Sequence, residues 1–259
     1  MSISPSKKLG LGWVRDDPDP RDHVYSPPIH ILGNLPERVD LRAEMPRVYN
    51  QGEFNSCTAN AIAAALEFDE IKHLQRRGLV VRPSRMFIYY NEREIEGTEN
   101  KDAGAQIRDG IKSVSKQGDC AERLWPYTRA NLTTKPSATC YSKARRYKAV
   151  GYERMKHKLG ELKACIASGY PFVFGFKVYE SFLGRGVKDT GALYLPRKKE
   201  KSVGLHAVLA SGYDDHLSRF IVRNSWGERW GNKGYFTIPY NYVLNPALAH
   251  DFWTIRVVR

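Results

Sequence analysis

The run RNSWGERWGNKGYFTI (223–238) decides how the rest of the chain is read. Glycines at 227, 231 and 234 punctuate a polar stretch, and the spacing suits a strand, a turn and a second strand. Asn224 and Trp226 stand at the entry to that turn. Eighteen residues upstream, His206 begins the apolar run HAVLASGYD (206–214). A buried Asn can accept an imidazole N–H, which holds one tautomer and aims the other ring nitrogen outward. A neighbouring indole would shield that hydrogen bond from water. The bland alternative is a hairpin with Trp in the core and a core His satisfied by backbone.

The third piece is NQGEFNSCTANAIAAALEF (50–68). Ala61, Ile62, Ala65, Leu66 and Phe68 form an apolar stripe, predicting a helix from Cys57 to about Arg77, stopped by Gly78. Cys57 thus sits at a helix N-terminus, where unpaired N–H groups and the macrodipole favour a thiolate. A thiolate nucleophile needs a proton carrier, usually His, and a group that orients it. A lone Cys is more often a small buried side chain, and half of a disulfide is a third reading.

Together the three pieces resemble the papain-like cysteine peptidases. The resemblance rests on NQGEFNSC (50–57), HAVLASGY (206–213) and RNSWGERWGNKGYFTI (223–238), in the order Gln, Cys, His, Asn. His206 and Asn224 follow Cys57 by 149 and 167 residues. VDLR (39–42) is similar to the family's mature start, and LWPY (124–127) to its Tyr-Pro-Tyr element. The organisation is similar to bacterial members with a short leader. The resemblance implies Cys57 as nucleophile, His206 as its imidazolium partner and Asn224 as the ring's orienter. It also implies Gln51 as an oxyanion donor beside the Cys57 N–H. The expected activity is endopeptidase hydrolysis through a thioester acyl-enzyme, on polypeptide substrates, with no cofactor and no metal.

Two departures stand out. Where the family has a Cys three residues before the nucleophile and an aromatic just after it, this chain has Phe54 and Thr58. The Gly-Gly of the cleft wall becomes Gly104-Ala105. By the same resemblance, Ile107, Gly175 and Leu205 line a roomy apolar pocket for the second residue upstream of the cut, and Trp226 borders the site.

The texture changes along the chain. Six of the fourteen prolines fall in residues 1–36, with DDPDPRD at 16–22. Such proline density blocks helix and ladder formation, yet Trp13, Val14, Val24 and Tyr25 are interspersed. A leader over 1–38 is expected to lie on the body, with Trp13–Pro28 in or across the cleft, restricting access; the alternative is a structural strap on the back of the lobes. Residues 39–259 then form the peptidase domain. Further helices are expected at 84–95 with Ser84 as N-cap, at about 105–117 closed by Gly118, and at 159–168. Strands are expected at 171–179, 206–214, 219–226, 233–240 and 251–258. The fold class is α+β: a helical lobe (about 52–145) and an antiparallel, β-barrel-like lobe (about 146–259 plus 39–50), with the cleft between them.

Composition narrows the rest. No apolar run is long enough for a membrane span and no h-region follows the N-terminal lysines, which favours the cytoplasm. Four cysteines without CxxC pairs or zinc-ligand spacing to His argue against a structural metal. Reduced thiols are the default there, with Cys120–Cys140 the pair for any single bridge. The net charge of +13 includes KARRYK (143–148), KHKLGELK (156–163) and RKKEK (197–201). That surface leaves a nucleotide- or nucleic-acid-binding protein, or a catalytically silent peptide-binding module, as the competing readings. A monomer is expected.

Overall fold

The computed structural model describes residues 9–74, 80–147 and 151–256. In chain order the elements are β1 (Trp13–Val14), α1 (Ile29–Leu32), β2 (Arg38–Asp40), α2 (Cys57–Leu74), α3 (Arg85–Ile95), β3 (Ala105–Gln106), α4 (Ile107–Gln117) and α5 (Ala138–Ala144). There follow β4 (Gly151–Arg154), α6 (Leu159–Ala167), β5 (Phe172–Tyr179), α7 (Glu180–Leu183), α8 (Arg185–Thr190), β6 (Ser202–Asp214), β7 (Arg219–Arg223), β8 (Tyr235–Pro239), α9 (Tyr240–Val243) and β9 (Ala249–Arg256).

Helix α2 is the centre of the molecule. Every residue from Cys57 to Ile71 is buried, because α3, α4 and β6 pack around it. Ala59, Ala61, Ala63, Ala64 and Ala65 present little bulk, so those neighbours approach closely. The expected end of this helix at Arg77–Gly78 lies outside the described residues, as do leader residues 1–8 and the last residues of the strand expected at 251–258. Ser84 caps α3 by accepting from the Phe87 N–H at 3.1 Å. Helix α4 starts at Ile107, two residues later than expected, because Ala105 and Gln106 are drawn into a parallel pairing with Trp13 and Val14.

The β half is one seven-stranded sheet in the order β4-β9-β5-β6-β7-β8, with β2 also on β6. It is an open sheet and not a closed barrel. Strand β6 is its axis. It pairs antiparallel with β5 from Ser202 to Ala210 and with β7 from Leu209 to Asp214, while β2 takes Gly212–Asp214. The start of β6 runs four residues upstream of His206, farther than the apolar pattern indicated, since Ser202, Gly204 and Leu205 pair with β5 although Ser202 and Val203 are exposed. Strand β4 was not expected: GYER (151–154) is partly buried throughout and joins the sheet only through β9. Among the described residues no helix is long and apolar enough to cross a membrane, and all four cysteines are free thiols.

Candidate active site

Cys57 is the first residue of α2 and is fully buried. The backbone N–H groups of Ala207 and Gly12 lie near its sulfur and oppose the effect of burial on the thiol. The Ala207 contact places the thiol beside β6 where His206 sits. The His206 ring bonds Asn224 Oδ1 through Nε2 at 2.9 Å. The same Oδ1 accepts the Ser225 N–H at 2.8 Å, which fixes the amide's orientation. Nε2 therefore carries the proton, and Nδ1 keeps its lone pair, with no hydrogen-bond partner. Trp226 stacks on the imidazole, centroids 4.9 Å apart at 28°, and screens the His–Asn bond as its position suggested.

Gln51 approaches from the loop before α2. Its backbone N–H donates to the Ser225 carbonyl at 2.8 Å, and the Ser225 hydroxyl donates to its Oε1. Those two bonds turn the amide NH₂ inward, where Nε2 donates to the Phe54 carbonyl at 2.8 Å and the Gly10 carbonyl at 3.2 Å. Tyr127, from the LWPY element, braces this loop by donating to the Gln51 carbonyl at 3.0 Å and meeting Ser56 Oγ. Phe54 packs edge-on against the same ring. Thr58 turns into the helical half and hydrogen-bonds the buried Glu92 carboxyl at 2.6 Å.

The N-terminal segment Gly10–Val14 lies against the same residues. Ala105 donates its N–H to the Gly12 carbonyl at 2.9 Å, and Gly12 bridges Leu205 in parallel. Gly104 has φ +79°, and a Cβ there would stand 2.0 Å from the Gly12 oxygen. Glycine at 104 is thus required on two counts. Ala105 forms its pairing without hindrance, so the missing second glycine costs the wall nothing here. The Trp13 indole lies directly on Gly175. Ile107 opens α4 beside this groove, fully buried.

Burial sets the protonation states. With the leader in place, burial pushes the Cys57 thiol up to about 11 and the His206 imidazole down to about 4. Both shifts favour the uncharged forms of thiol and imidazole while the site stays dry. Two charges without water cost more than their mutual attraction returns.

The papain family cysteine protease profile matches residues 35–250. The chain belongs to the papain family of cysteine proteases. It is 39% identical to the uncharacterized peptidase C1-like protein L477 of Acanthamoeba polyphaga mimivirus, over 96% of this chain and 87% of that protein. The crystal structure of xylellain, a cysteine protease from Xylella fastidiosa, matches with a TM-score of 0.91 and 44% identity over the whole of both chains. A procathepsin L 3 from Tenebrio molitor larval midgut shares the fold, with a TM-score of 0.71 at 18% identity over 96% of this chain and 76% of that one.

In this papain-family protease it is Gly10 to Val14, and not the whole of Trp13–Pro28, that lies along Gln51, Gly104, Ala105, Gly175 and Leu205. Past Val14 the leader leaves the groove and is anchored on α4, β4 and β9. Asp16 donates its N–H to Asp251 at 2.8 Å and accepts from the Arg108 N–H at 3.1 Å and from Trp253 Nε1 at 2.7 Å. Asp22 takes a two-pronged contact from Arg108 and a further one from Arg154 at 3.0 Å. Val24 bridges Arg154, and Tyr25 donates to its carbonyl at 2.8 Å. The acidic leader residues were visible in DDPDPRD; their partners Arg108, Arg154, Asp251 and Trp253 are scattered over 146 positions, Arg108 to Trp253, and carry no local signal. Gly10 and Gly12 were missed too, although a GLG run before a Trp in a proline-rich leader hints at close backbone approach.

Proposed function

We propose that this papain-family protease is an endopeptidase in which Cys57 attacks the scissile carbonyl and the leader holds the cleft shut. Once the groove opens, water returns and the Cys57 thiol passes its proton to His206 Nδ1. The thiolate then attacks the peptide carbonyl. The Gln51 Nε2–H and the Cys57 N–H hold the resulting oxyanion. The imidazolium protonates the leaving amine, and the thioester is hydrolysed by a water that His206 deprotonates. Asn224 holds the ring throughout.

The observation that carries this reading is the Gly10 carbonyl on Gln51 Nε2, 3.2 Å away. A leader carbonyl sits where an oxyanion would be stabilised. The carbonyl held by Gln51 belongs to Gly10, whereas the thiol meets the Gly12 N–H, which lies in a different peptide unit. The Gly12 carbonyl is turned away to Ala105. The thiol is thus near the Leu11–Gly12 peptide unit and not the Gly10–Leu11 unit whose carbonyl Gln51 holds. Docking in the apolar groove also favours the Trp13 side chain, so substrates with an apolar residue two positions upstream of the cut are favoured, with Gly104, Ala105, Ile107, Gly175 and Leu205 around it.

The test is labelling with a peptidyl epoxide, mapped by mass spectrometry, on the full chain, on the chain lacking residues 1–36, and on His206→Ala. Labelling confined to Cys57, faster after truncation and lost in His206→Ala, is expected. Slow, equal labelling of several cysteines in all three would leave Cys57 an ordinary thiol and favour a silent peptide-binding module.

A further inference from the structure

Two other thiols form a pair away from the cleft. Cys120 and Cys140 are both buried and share one small apolar cluster with Phe87 and Ala144. Cys120 follows α4 and lies against the start of α3, its carbonyl accepting the Ser84 N–H at 2.8 Å. It borders a cavity of about 20 Å³ with Leu66, Val81 and Pro83. Cys140 is on α5, a helix of seven residues whose flanking Ala138 and Thr139 are exposed. The Ser137 hydroxyl donates to the Cys140 sulfur at 3.3 Å. Two thiols from positions twenty residues apart thus meet in one buried cluster.

We propose that Cys120 and Cys140 are a redox-responsive pair that closes to a disulfide when the surroundings become oxidising. The reaction needs a low-molecular-weight disulfide such as oxidised glutathione. Local opening of α5 exposes Cys140, whose sulfur has a hydroxyl donor to support the thiolate. That thiolate attacks one glutathione sulfur, forming a mixed disulfide and releasing one glutathione. The Cys120 thiolate then attacks the Cys140 sulfur of the mixed disulfide, releasing the second glutathione. Two electrons pass from the cysteine sulfurs to the glutathione disulfide, and the two cysteine protons end on the two glutathione thiols. Burial and the neighbouring Asp119 hold the Cys120 thiol well above its ordinary value, so closure is slow and gated by the opening.

The bridge would tie the ends of a segment that serves the active site. Between the two cysteines lie Glu122, paired with Arg85 at 2.7 Å, and Tyr127, which braces the Gln51 and Ser56 loop. Closing this loop removes conformations from the unfolded chain and stiffens the brace behind the oxyanion donor.

The test equilibrates the full chain in glutathione buffers from reducing to oxidising, followed by acid quench, alkylation, intact mass and peptide mapping. A loss of two mass units is expected, in one two-electron transition, with a Cys120–Cys140 cross-linked peptide and a Tm higher by about 5 °C in the oxidised form. Cys140→Ser, on the short helix and least disruptive to the fold, should abolish the mass loss and the Tm difference together. Both cysteines alkylatable at every potential would overturn the proposal. So would a bridge involving Cys57 or Cys165, or a mass loss that persists in Cys140→Ser.

Discussion

The indole of Trp13 occupies the space that any side chain at Gly175 would need: a Cβ on Gly175 would stand 2.1 Å from the ring. The leader's anchor and the strand's missing side chain are two halves of one contact. Gly175→Ala should therefore dislodge the leader from the groove. We expect Cys57 in the full-length variant to be alkylated at least about tenfold faster than in the parent chain, with far-UV circular dichroism unchanged. Equal rates would mean that Trp13 re-seats without Gly175.

Leader removal should change the thiol itself. In the closed form burial holds Cys57 up at about 11 and His206 down at about 4. Both shifts come from desolvation, so both relax when water enters. The pH profile of Cys57 alkylation in the chain lacking residues 1–36 should have its thiol inflection well below that of the full chain. Superimposable profiles would show that the leader does not control hydration of the pair.

The anchor at Asp16 gives leader docking a pH dependence. Burial and the neighbouring Asp251 raise the Asp16 carboxyl to about 7 when docked, from an ordinary 3.8. Asp251 is raised as well, while Arg108, Arg154 and Asp22 complete the surroundings. A carboxyl raised on docking binds best when protonated. Its contribution is full below about pH 4, declines above it, and is lost as pH rises through about 7. The ratio of full-length to leaderless alkylation rates should rise from pH 4 to pH 8, and Asp16→Asn should flatten that rise. A ratio that falls over the same range would assign release to other groups.

Gln51→Ala removes one of two oxyanion donors. With the leader deleted, kcat on a peptide substrate should fall roughly 10²–10³-fold while KM changes little. In the same position the variant also loses the bond to the Gly10 carbonyl, so its full-length form should show a loosened leader. A drop confined to KM would place Gln51 in substrate binding alone.

Leu205 bridges Gly12 and stands immediately before His206. Leu205→Glu should shift preference at the second residue upstream of the cut toward Lys and Arg, read from a peptide library with the leaderless chain. An unchanged preference would remove Leu205 from the pocket.

The sequence by itself determined the elements whose signals are local. The Ala-rich stripe gives α2, Ser84 gives the start of α3, and the aromatic, β-branched runs give β5 to β9. It also singled out Gln51, Cys57, His206 and Asn224, because the resemblance rests on short runs that contain them. Only the tertiary structure decided what fills the cleft. Gly10 and Gly12 matter because other backbone comes within van der Waals reach of them, at Phe54, Asn55 and Gly104, and glycines report no partner in one dimension. The anchor of Asp16 and Asp22 on Arg108, Arg154, Trp253 and Asp251 joins four distant segments for the same reason. The protonation of the dyad was likewise beyond the sequence. Helix position favours a thiolate at Cys57 while burial of the site opposes it, and desolvation is a property of the packed molecule and not of the residues in order.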